Sequence, residues 1–125
     1  MRKRRLWRWG RQTDTYKVVI SPRAMELLQK SMNYIRDVLL APLAAQAVWE
    51  DALKTVREVK TVAGLLRLCS DPRLRSLGYH AARFQRHDYI MLYRIEGHTA
   101  YIDAVYHLRQ DYERIFTREL NNEER

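Results

Sequence analysis

One cysteine, four glycines and three prolines in 125 residues are few, and no apolar run approaches bilayer-spanning length. Cys69 alone cannot form an internal disulfide, which fits a reducing compartment and a thiol that serves as a small buried apolar group. His80, His87 and His98 lack the acid or cysteine spacing of a metal site, so neither metal nor other cofactor is expected. The glycines build no phosphate-cradling loop and no Gly-x-Ser-x-Gly element, leaving nucleotide hydrolysis and serine esterase chemistry without support. The start, MRKRRLWRWG, carries the charge of a signal peptide's first region but no apolar segment follows it. These absences lead us to expect a soluble, cytoplasmic protein with no membrane partner.

What is present is a domain's worth of apolar sequence, 46% of the chain, in which wholesale disorder is excluded. A chain of this size buries about two-thirds of its unfolded surface in one domain. The net charge of +8 is unevenly distributed. Residues 1–11 hold six basic groups and no acid, leaving 17 basic and 15 acidic groups in residues 12–125. From Arg67 to Arg94 six arginines face only Asp71 and Asp88, whereas from Ile95 onward seven acids outnumber four bases. A local arginine concentration suits phosphate or an acidic partner, because each guanidinium donates two parallel hydrogen bonds.

Residues 1–13 read as a disordered basic arm, either a solvated tail or a segment attracting nucleic acid through charge and stacking of Trp7 and Trp9. Residues 14–125 read as a single domain. Tyr16–Ile20 has the composition of a short strand, and Ser21-Pro22 supplies a capping hydroxyl and a first-turn proline. Ala24, Leu28, Met32, Ile35 and Leu39 share one helical face, predicting a helix from Arg23 to Leu40. Pro42 breaks it, and Ala45, Val48, Trp49, Ala52, Val56 and Val59 predict a second helix from Leu43 to Lys60. The short connection makes an antiparallel hairpin. Val62–Leu66 fits one helical turn, and Asp71-Pro72 marks a loop. From Tyr79 the period becomes two, predicting strands at Tyr79–Arg86, Tyr89–Ile95 and Thr99–Tyr106. A terminal helix follows, with Tyr112, Ile115, Phe116 and Leu120 on one face. The fold class is α+β: a strand, a helical hairpin, a three-stranded antiparallel meander in one sheet of about four strands, and a short C-terminal helix.

Titratable chemistry concentrates where the last strand ends, in His107-Leu108-Arg109-Gln110-Asp111-Tyr112. An imidazole, with an ordinary pKa of about 6.5, suits either proton role near neutrality. Arg109 or Arg83 can hold a phosphate on which charge grows, and Tyr112 can stack on a splayed base. The same residues also read as structure: His107 pairing with Asp103 or Asp111, and Arg109 with Glu113 across one helical turn.

YIMLYRIEG, TAYIDAVYH and the His107-x-Arg109-x-Asp111 ending, in this order, resemble the RelE/ParE superfamily of bacterial type II toxins, and the likeness spans residues 16–120. The resemblance implies that the first strand joins a four-stranded sheet, that the helical hairpin covers one face, and that RNA-cleaving members act in a concave groove on the other. It carries phosphate-binding roles onto Arg83 and Arg86, and reaction roles onto His107, Arg109 and Tyr112. Ala81 and Ala82 stand where such members often carry lysines, and the His-x-Arg-x-Asp ending is shared with gyrase-directed members that cleave nothing. The resemblance therefore implies a growth-arresting toxin of the plasmid-stabilization type with a cognate acidic antitoxin as partner. Its target is mRNA at the ribosome, cut without metal, or alternatively DNA gyrase, inhibited by contact. A decayed member retaining only antitoxin binding is the third reading.

Overall fold

The computed structural model describes residues 15–123, and the basic arm expected at residues 1–13 lies outside them. Strand β1 spans Lys17–Ile20 and helix α1 spans Pro22–Asn33, continued by a π-helical turn over Tyr34–Val38. Helix α2 spans Pro42–Val62 and ends in a 3-10 turn, Ala63–Leu65; a short helix α3 occupies Pro72–Ser76. Strands β2 (His80–Arg83), β3 (Tyr89–Glu96) and β4 (Thr99–His107) follow, and helix α4 covers Tyr112–Glu123. None of the described helices is long and apolar enough to cross a membrane.

All three prolines open a helix, where a missing N–H leaves no hydrogen bond unmade. Two of these starts are capped by side chains: Ser21 Oγ accepts from Ala24 N at 3.1 Å, and Asp71 Oδ2 accepts from Arg73 N and Leu74 N, both at 3.0 Å. The helix expected to reach Leu40 keeps α geometry only to Asn33. Pro42 offers no N–H and restricts Ala41, so the chain leaves the helix through a wide turn. In it Leu39 N donates to Tyr34 O, Ala41 N donates to Ile35 O, and Leu40 takes a positive φ of 54°.

The four strands form one mixed sheet in the order β1-β4-β3-β2, with β1 parallel to β4 and the meander pairs antiparallel. The α+β architecture predicted from sequence is therefore present. Both faces are covered. Ala82, Met91, Tyr93, Ile102 and Val105 pack against Ala24, Leu28, Val48, Ala52 and Val59 of the helical hairpin. Ile90, Leu92, Ala104 and Tyr106 pack against Leu74 and Phe116 from α3 and α4. Tyr93 is fully buried and donates its hydroxyl hydrogen to Ala63 O at 2.6 Å, fastening the end of α2 to the central strand.

The ladder between β3 and β4 slips between Leu92 and Tyr93, which pair with Ala104 and Ile102 and leave Asp103 as the extra residue of a bulge. Asp103 accepts from Tyr79 Oη at 2.7 Å and Arg94 Nε at 3.2 Å, and its carbonyl accepts from the Ser21 hydroxyl. Glycine is needed at the β3–β4 turn, where Gly97 adopts a φ of 62°. The strand expected to run to Arg86 stops at Arg83, so Arg86 sits in the β2–β3 loop. The cause is Asp51 on α2, which draws the amides of residues 85–87 away from the ladder.

Candidate functional site

Three of the five residues singled out in the sequence meet in one cavity of about 850 Å³ beside the helical hairpin. Its charged groups and imidazoles are Lys30 from α1, Arg86, His87 and Asp88 from the β2–β3 loop, His107 at the end of β4 and Arg109 just after it, with Ile35, Val48 and Tyr89 among the other lining residues. Among the described residues, neither Lys30, Arg86 nor Arg109 has an ion-pair partner. Three cations against one carboxylate, Asp88, make this an anion-attracting recess.

His107 ends β4 opposite Tyr89, whose ring meets the imidazole edge-on with centroids 4.9 Å apart. The turn after it is closed from both sides: His107 N donates to Gln110 Oε1 at 2.9 Å and Gln110 N donates to His107 O at 3.0 Å. Arg109 N donates to His107 Nδ1 at 3.0 Å. Nδ1 is thus an acceptor, and the neutral ring carries its proton on Nε2. Neither the pairing of His107 with Asp103 or Asp111 nor the pairing of Arg109 with Glu113 is formed. Asp103 is taken by Tyr79 and Arg94, and Glu113 accepts from the amides of Ser70 and Asp71 at 2.9 and 3.2 Å.

The loop that brings Arg86 and His87 to the cavity is held by Asp51, whose side chain is 1% exposed. Its oxygens accept from Gln85 N at 3.2 Å, Arg86 N at 2.9 Å, His87 N at 2.9 Å and His87 Nδ1 at 2.8 Å. Burial pushes the carboxyl up. The imidazole and the three amides outweigh that and hold it below its ordinary 3.8.

Arg83 and Tyr112 lie elsewhere, in a second groove on the opposite face of the sheet. Strand parity requires this: Arg83 pairs with Ile90 and Ile90 with Tyr106, all on the α3–α4 side, while Tyr89 and His107 point to the hairpin side. The second groove is also lined by Arg67 and Arg75, while His80 borders it from the edge strand, with its ring stacked on Tyr93 at 5.1 Å and its Nδ1 2.7 Å from Leu66 O. Burial, then the nearby Glu113, raises the Tyr112 phenol, which stays protonated. Cys69 at the base of this groove is buried, which pushes its thiol up to about 12 and leaves it unreactive.

Asp51 and His87 escaped the sequence reading. The signal for Asp51 was its position: residues 48, 51, 52, 55 and 59 share one helical face, so a carboxylate falls among buried apolar groups. His87 had no comparable signal, since its role depends on a partner 36 residues away. Among the described residues, no group of three or more His, Cys, Asp or Glu side chains is placed to hold a metal ion.

No family model matches the sequence, and no curated protein does. Among solved structures, a chain described as "Chromosomal ParDE TA system from P. aeruginosa" superposes with a TM-score of 0.64 at 18% identity. The match covers 76% of this chain and 98% of that one. At that identity the likeness shows a shared fold, the α+β architecture described above, and nothing finer.

Proposed function

We propose that the chain is the toxin of a type II toxin–antitoxin pair and that it cleaves RNA without a metal ion, using the cavity around His107. The observation that carries this reading is the meeting of His107, Arg109 and Arg86 in one recess whose cations have no carboxylate partners among the described residues. A phosphodiester entering it is held by the two guanidiniums, which neutralise the charge that grows on the equatorial oxygens. His107 adds a hydrogen bond from Nε2–H, in the tautomer set by the Arg109 amide. The target is mRNA on the ribosome, which supplies further positioning.

Arg67, Arg75 and Arg83 in the second groove suit the acidic antitoxin, a partly disordered segment that folds along the basic surface. A second reading is favoured by the ParDE description of the structural relative: inhibition of DNA gyrase by contact. The two separate in parallel assays, mRNA cleavage on programmed ribosomes and supercoiling by gyrase. Cleavage with unchanged supercoiling supports the nuclease reading; lost supercoiling with intact mRNA supports the other.

A further inference from the structure

We propose that His87 is the general base of the cavity and Asp51 the residue that positions it, an assignment that rests on the RNA-cleavage reading. An ionised carboxylate only accepts, so the 2.8 Å contact between His87 Nδ1 and Asp51 Oδ2 places a proton on Nδ1 and the lone pair of the neutral ring on Nε2. The His87 side chain is 30% exposed and lines the same cavity as His107, Arg109 and Arg86. The tautomer of His107 is the reverse, because its Nδ1 accepts from the Arg109 amide and Nε2 carries the proton. One recess thus joins an imidazole set to accept a proton and an imidazole set to donate a hydrogen bond.

Closing the loop does not require the imidazole. Three consecutive amides already bind the Asp51 carboxylate, and the ring is a fourth donor to it. The charged groups around His87 are Asp51 from α2, Lys30 from α1, Arg86 and Asp88 from its own loop, and Arg109 after β4. Asp51 stabilises the imidazolium as it forms, while the cations hold the phosphate.

In the step, Nε2 of His87 removes the proton of the ribose 2′-OH. The 2′-oxygen bonds to phosphorus as the bond to the 5′-oxygen breaks, giving a 2′,3′-cyclic phosphate. Water protonates the departing 5′-oxygen, and the resulting hydroxide takes the proton from His87.

The test uses the full chain and a labelled mRNA on programmed ribosomes. His87→Ala keeps the three amide bonds to Asp51, so its melting temperature stays near wild type. Its cleavage rate falls about 10²-fold or more, and free imidazole restores part of it. Nitrogen NMR of the wild-type chain finds the His87 proton on Nδ1. Cleavage by His87→Ala at the wild-type rate, or a His87 proton on Nε2 with no rescue by imidazole, overturns the assignment while leaving the cleavage reading standing. A wild-type chain that cuts no RNA overturns both.

Discussion

Arg83 and His107 lie on opposite faces of one sheet, Arg83 beside Ile90 and Tyr106 in the α3–α4 groove and His107 against Tyr89 on the hairpin side. The two side chains therefore face different surfaces, and substitutions at them are expected to separate the proposed cleavage and antitoxin-binding roles. His107→Ala and Arg109→Ala are expected to lower RNA cleavage at least 10²-fold and to abolish growth arrest with the fold intact. Arg109→Lys does not rescue, because an ammonium keeps the charge and loses the two-pronged donor. Arg83→Ala and His80→Ala leave cleavage within about two-fold, as expected for substitutions away from the chemistry. The reverse pattern in a cleavage assay places the reaction in the second groove.

The second groove is expected to govern association with the acidic antitoxin. Reversing Arg67 and Arg83 to Glu slows association and flattens its dependence on salt, because the steering charge is removed. Stopped-flow association rates across a salt series check this. An unchanged salt slope places the antitoxin on another surface.

Asp51 makes stability sensitive to acid. Its folded carboxyl lies below the ordinary 3.8, so its stabilisation is complete above that value and is lost as pH falls through the lower, folded value. Asp51→Ala strands three amides and an imidazole and costs about 3–5 kcal/mol at neutral pH. Urea melts between pH 7 and pH 3 measure both effects, and the variant shows a shallower loss on acidification than wild type.

The helical hairpin, the meander and the Gly97 turn were legible in the sequence because each rests on local periodicity or on one residue's backbone freedom, whereas Asp71-Pro72, expected to mark a loop, instead caps and opens the short helix α3. The His107-x-Arg109 ending was legible as a cluster of titratable and cationic groups for the same reason, and both side chains line one cavity. The partition of the site was half legible. A period of two already sends residues 106 and 107 to opposite faces, but which face Arg83 shares follows only from its pairing with Ile90. The early end of β2 was not legible, since its cause is a carboxylate on α2 more than 30 residues earlier. The π-helical turn and the positive φ of Leu40 likewise depend on how α1 meets α2.

Phe116, which reads from the sequence as an α4 position, is fully buried edge-on against Tyr79, with ring centroids 5.0 Å apart. Phe116→Ala is expected to cost about 3–5 kcal/mol of stability, read by denaturant unfolding. Any loss of growth arrest in that variant therefore reports on the core. The exposed Arg118 and Glu119 are the α4 probes of a contact surface. Their substitution leaves growth arrest unchanged on the nuclease reading and relieves it if α4 contacts gyrase.

The chemistry of the cut end tests the central claim most directly. A ribosome-bound mRNA carrying a single 2′-deoxy nucleotide at the mapped cleavage position lacks the attacking oxygen. The account predicts that unmodified mRNA is cut to a 2′,3′-cyclic phosphate and that the deoxy substrate stays intact at that position. Cutting of the deoxy substrate, or intact mRNA under conditions where growth still stops, contradicts it.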